Sequence, residues 1–140
     1  MSSTWVIDAE NKIFTTIRYK VLEVLEETYP DLYFTRSQKN DELPNNLYPA
    51  VYIHFSEIER GKDLQGNSIN AVLMSMTIDV TASESMGIES VREVIYECLD
   101  IAKGYFSFGT EMMPEEITQD TDTERMVCKL ARIIGFNDIL

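Results

Sequence analysis

The sequence is poor in the residues that build catalytic and metal sites. It contains one histidine, His54, and two cysteines, Cys98 and Cys128, without the spacing of a metal site. The GxSxG and GxGxxG motifs are absent, and the stretch from Gly61 to Gly66 lacks the Gly-Lys-Ser/Thr of a phosphate-binding loop. A single histidine without a paired nucleophile is a poor general base. We therefore expect no catalytic activity, no cofactor and no bound metal.

Basic residues are also scarce, with 12 Lys and Arg against 24 Asp and Glu, for a formal net charge of −12. Binding to nucleic acid or to an anionic membrane depends on Lys and Arg, so this balance disfavours both kinds of partner. The first residues show no basic segment followed by an apolar one, and the longest apolar runs are about four residues. We expect no secretory signal, no membrane span and cysteines that stay reduced.

The length and composition fit one soluble domain over residues 1–140. A chain of 140 residues with 44% hydrophobic and 26% charged residues can bury a core without disulfides or metals. The acidic charge is uneven: residues 1–39 carry net −1, residues 40–104 net −7 and residues 105–140 net −4. The excess of acid is therefore expected on the middle and C-terminal parts of the domain.

Hydrophobic periodicity predicts seven elements in the order α-β-β-β-α-β-β. They are helices over residues 4–28 and 88–103 and strands over residues 32–35, 49–56, 69–83, 106–112 and 124–135. Strict alternation over residues 69–83 indicates a long antiparallel strand with one buried face. The last strand is apolar on both sides, so we expect a central strand that is covered on both faces. We predict an α+β fold: a mostly antiparallel mixed sheet of four to five strands, two helices packed on one face, and a long arm between the two central strands.

The predicted arm over residues 57–68 is too long for a tight hairpin turn. Its charges alternate in sign, and it carries an apolar Leu64 between polar neighbours. The arm is either a solvated loop or a projecting contact element, since long ordered loops are often functional. The residues that would form this contact element are Glu59, Arg60, Lys62, Asp63, Leu64, Asn67 and Ile69.

Clustered acidic residues form a second feature that the need for a hydrophobic core does not explain. Three glutamates recur every fourth residue of the second predicted helix, and a predicted loop over residues 111–124 contains six acids and no base. Like charges four residues apart weaken a helix by a few tenths of a kcal/mol per pair. The acids are either a solvated surface or a face that repels another polyanion or docks to a basic partner. This set comprises Glu89, Glu93, Glu97, Glu115, Glu116, Asp120 and Asp122.

The run Asp120-Thr-Asp122-Thr-Glu124 is similar to the start of a calcium-binding loop. Its sixth position is Arg125 instead of glycine, and its twelfth is Ala131 instead of glutamate. A charged, solvated turn explains this run better. A hydrolase or metal-dependent enzyme that uses these three acids with His54 is kept as a hypothesis to be tested by divalent metal binding.

Several short motifs, taken in order, resemble those of the small tail terminator (tail completion) proteins of tailed bacteriophages and phage-tail-like bacteriocins. The similarity covers about residues 10–138. The motifs are Tyr48-Pro49-Ala50-Val51-Tyr52-Ile53, Gly61-x-Asp63-Leu64-x-Gly66, Ile69-Asn70-Ala71-Val72, Ile78-x-Val80, and Arg132-Ile133-Ile134-Gly135 followed by Asp138.

The resemblance implies a structural role. A tail terminator forms a homo-hexameric ring on the head-proximal end of the tail tube, stops tube polymerisation, and offers a docking surface to neck or head-completion (connector) proteins. Its implied partners are itself, the tail tube protein, the neck protein and, in a contractile tail, the sheath protein. Genomic DNA would pass through the lumen without specific binding, and six copies would carry −72 formal charges. The implied location is the tail–neck junction of the virion, after assembly in the host bacterial cytoplasm.

A second hypothesis needs no ring. The chain could equally be an acidic, monomeric or dimeric α+β adaptor or binding module without catalysis, in which the arm contacts a ligand or partner. Oligomeric state separates the two hypotheses, because a cyclic ring requires a heterologous interface with two different complementary patches on each copy.

Overall fold

The computed structural model describes residues 4–36, 48–62, 68–106, 115–119 and 123–135. The elements are helices α1 (Thr4–Leu25) and α2 (Ile88–Phe106) and strands β1 (Tyr33–Thr35), β2 (Ala50–Lys62), β3 (Ser68–Ser83), β4 (Glu115–Gln119) and β5 (Thr123–Gly135). A short 3-10 turn, Glu84–Met86, links β3 to α2. Six of the seven predicted elements have a counterpart in this order, and the exception is the strand predicted over residues 106–112.

The five strands form one mixed sheet in the order β1-β2-β3-β5-β4. Only β1 and β2 pair in parallel, and the other three pairings are antiparallel. The long β3 pairs along its length with β2 on one side and with β5 on the other. The predicted α+β fold with a mostly antiparallel mixed sheet is confirmed.

The hydrophobic core lies between one face of this sheet and the two helices. Ile53 of β2, Ile78 of β3 and Cys128 of β5 stand side by side in the pairing register, and all three are buried. Helix α2 packs on β3 and β5, and α1 packs on α2. The stripe of α1 that joins the same core is Val6, Ala9, Ile13, Ile17, Val21 and Leu25. Both helices therefore cover the same face, as predicted.

Glycine is needed where the chain enters α2. Gly87 has a φ of +78°, a conformation that side-chain-bearing residues rarely adopt, and α2 begins at the next residue. The Gly87 carbonyl accepts hydrogen bonds from the Ser90 amide at 3.3 Å and from Ser90 Oγ at 2.8 Å. The first turn of α2 is thereby fixed against the end of β3.

The predicted arm is largely a continuation of two strands. Strand β2 runs on to Lys62 and β3 begins at Ser68, so the predicted strand limits at residues 56 and 69 are corrected, whereas residues 63–67 lie outside the described ones. Backbone pairing extends the ladder through two register irregularities, one between Glu57 and Glu59 and one between Arg60 and Lys62. The described end of β5 is Gly135, opposite Ala71, so the Lys62–Ser68 pair lies beyond it.

Two further predictions are corrected on the C-terminal side. The strand predicted over residues 106–112 is wrong at Phe106, which extends the buried stripe of α2 by one more turn, and its other residues lie outside the described ones. Strand β4 forms instead within the predicted acidic loop, because pairing with β5 compensates for its weak strand propensity. β5 is interior, but Lys129 and Ala131 are exposed, so it is not covered on both faces.

Truncation of the core should be costly. Ile78 is 0% exposed in the middle of β3, so Ile78→Ala should lower the free energy of unfolding by about 2–5 kcal/mol. The neighbouring Thr77→Ala on the opposite face is the control and should change it by less than about 1 kcal/mol. Urea unfolding followed by circular dichroism measures both variants. Equal losses for the two would contradict the assignment of the buried face.

Candidate functional site

The side chains with potential for nucleophilic or acid–base chemistry are kept apart by the sheet. His54 is exposed on the face opposite the helices, with its ring 5.9 Å from that of Tyr52. Cys98 and Cys128 are buried on the covered face, and burial raises the pKa of both thiols, which keeps them protonated and unreactive. In the described residues, no group of three or more His, Cys, Asp or Glu could hold a metal ion.

An ion pair on the sheet face opposite the helices links the two central strands β3 and β5. Asp79 is only 7% exposed, and Arg125 Nε donates to its Oδ1 and Oδ2 at 2.9 and 3.0 Å. Arg125 Nη2 also donates to Oδ2. These hydrogen bonds raise the pKa of the Arg125 guanidinium. The pair satisfies a carboxylate that would otherwise be buried without a partner, which indicates a structural role.

Breaking the Asp79–Arg125 ion pair should destabilise the fold. Arg125→Met should lower the free energy of unfolding by roughly 2–4 kcal/mol, because it leaves the Asp79 carboxylate without a charged partner. The double variant Asp79→Asn/Arg125→Met should lose less than the sum of the two single changes, since the interaction is shared. Chemical denaturation of the four proteins in the cycle measures the coupling. Strictly additive losses would show that the pair contributes nothing.

The structure divides the predicted acidic set among different elements. Glu89, Glu93 and Glu97 follow one side of α2, where the first two are exposed and Glu97 is half-buried. Glu115 and Glu116 are not in a loop but on β4, opposite Val127 and Met126 of β5. Asp120 and Asp122 lie outside the described residues. The structure therefore groups only the three α2 glutamates as predicted.

One member of the α2 group has an internal partner. The Tyr29 hydroxyl, just after α1, donates a hydrogen bond to the Glu93 carboxylate. Partial burial, this hydrogen bond and the negative charge of Glu93 raise the pKa of Tyr29 to about 12. The contact joins the end of α1 to the first half of α2.

The raised pKa of Tyr29 predicts a pH dependence of stability. A folded-state pKa above the unfolded value of 10.0 stabilises the fold fully below pH 10, and that stability is lost as the pH rises toward 12. Between pH 10 and pH 11.5, the unfolding temperature should therefore fall less in Tyr29→Phe than in the wild type. Thermal melts at both pH values, with Tyr33→Phe as the control, measure the difference. An equal fall in unfolding temperature in Tyr29→Phe and in the wild type would contradict the Tyr29–Glu93 hydrogen bond.

The predicted interface residues of the arm lie on two paired strands. Glu59, Arg60 and Lys62 belong to β2, and Ile69 belongs to β3. Asp63, Leu64 and Asn67 lie outside the described residues. The pairing of β2 with β3 brings the described part of this set onto one hairpin.

Sequence reasoning missed an aromatic patch on the helices. Lys20 of α1 places its Nζ 5.7 Å from the ring centroids of both Tyr19 and Tyr105. The two rings are 63% and 57% exposed, although each belongs to a helix whose other face is buried. Tyr19 and Tyr105 are far apart in the chain, and only the packing of α1 on α2 brings them together. We call Tyr19, Lys20 and Tyr105 the aromatic patch.

Charge is unevenly distributed over the two helices. The helices are antiparallel, since Tyr29 after α1 contacts Glu93 whereas Lys20 contacts Tyr105 near the end of α2. Residues 21–31 and 88–97 hold seven acids and one base, for net −6, whereas residues 4–20 and 98–106 hold three acids and four bases, for net +1. The aromatic patch adjoins the acidic part, because Lys20 lies three residues before Glu23.

Comparisons with known proteins assign no function to this chain, so its function is interpreted from the surfaces described above. No protein-family model matches the chain, and no curated protein matches it either. Among the described residues, no helix is long and apolar enough to cross a membrane. The described surface features outside the core are the α2 glutamates, the aromatic patch and the extended hairpin.

Proposed function

We propose that this protein is a non-enzymatic structural protein of virion assembly, a tail terminator. In this proposal six copies form a ring on the head-proximal end of a tail tube. The ring ends polymerisation of the tube protein and then offers a docking surface to neck or head-completion proteins. The protein would act at the tail–neck junction of a phage or of a phage-tail-like particle.

The observation that carries the proposal is the extended hairpin. The motif residues that resemble the family concentrate in β2 and β3, and this strand pair runs on past Ala71, which lies opposite Gly135 at the described end of β5. At a rise of about 3.3 Å per residue, the three residues of β3 before Ala71 are roughly 10 Å long. The paired ends of β2 and β3 therefore supply an edge of the sheet that, in this proposal, contacts an adjacent copy or the tube rim.

The charge of the chain supports the same role. Duplex DNA carries one negative charge per ~1.7 Å of its axis, and a ring of acidic subunits repels it over roughly 8–10 Å at moderate salt. Such repulsion lets DNA pass through a lumen without being held. A protein that had to grip DNA would need the opposite balance of charge.

Native mass over a wide concentration range, alone and with its candidate tube protein, tests the proposal. Six copies of 16.1 kDa give 96.6 kDa, and we expect a closed species of this mass, either free or at tube ends. Tubes that grow in the presence of the protein should also become shorter, because capped ends stop elongating. Electron microscopy of the tube lengths measures that effect.

The contrary result favours the adaptor hypothesis. A chain that stays monomeric or dimeric at every concentration, and that leaves tube length unchanged, would overturn the terminator proposal. Stabilisation of the fold by divalent metal would instead favour the third hypothesis, in which the chain is a metal-dependent enzyme.

A further inference from the structure

We draw no further inference here: the strongest candidate, the aromatic patch that Tyr19 and Lys20 of α1 form with Tyr105 of α2, carries no proposal because nothing in the structure shows what covers it.

Discussion

The structure depends on one constraint: β2, β3 and β5 must pair in a register that places their buried side chains on the same face of the sheet. Ile53, Ile78 and Cys128 meet in one row under the helices, and a slip of β3 by one residue would turn its whole apolar set toward water. This register fixes the position of α2, and α2 in turn supports α1. The surfaces available for binding are those that lie outside this helix-covered face of the sheet.

The burial of one face sends the polar residues of the sheet to the other. Asp79 alternates with buried neighbours in β3 and therefore points away from the helices, where Arg125 of β5 satisfies it. His54 lies on that same open face, separated from both thiols by the thickness of the sheet. The pattern that builds the core thus also keeps the potentially reactive groups apart.

The helix layer combines the acidic bias of the chain with an ordered cationic patch. Like charges along α2 reduce helix stability slightly, and the tertiary structure tolerates this because the opposite side of α2 is deeply buried. The Tyr29–Glu93 contact and the Lys20–Tyr105 contact each join the C-terminal part of α1 to α2.

Part of the candidate site could be predicted from the sequence. The spacing of Glu89, Glu93 and Glu97 correctly predicts one side of a helix, and the alternation in residues 69–83 predicts the strand that carries half of the hairpin. The predicted end of β2 at residue 56 is wrong because strand pairing across two irregularities continues to Lys62, despite the local turn signals of glycine and charge. The Asp79–Arg125 pair joins residues 46 positions apart, which no local pattern connects.

The sequence by itself determined the α+β class, the buried face of β3 and the acidic balance of the chain, because hydrophobic periodicity and charge are local properties. The tertiary structure decided the strand order, the extension of the hairpin, the partner of Asp79 and the aromatic patch. These features depend on the register between strands and on the antiparallel packing of two helices. Both are set by the collective burial of side chains that are distant in the chain.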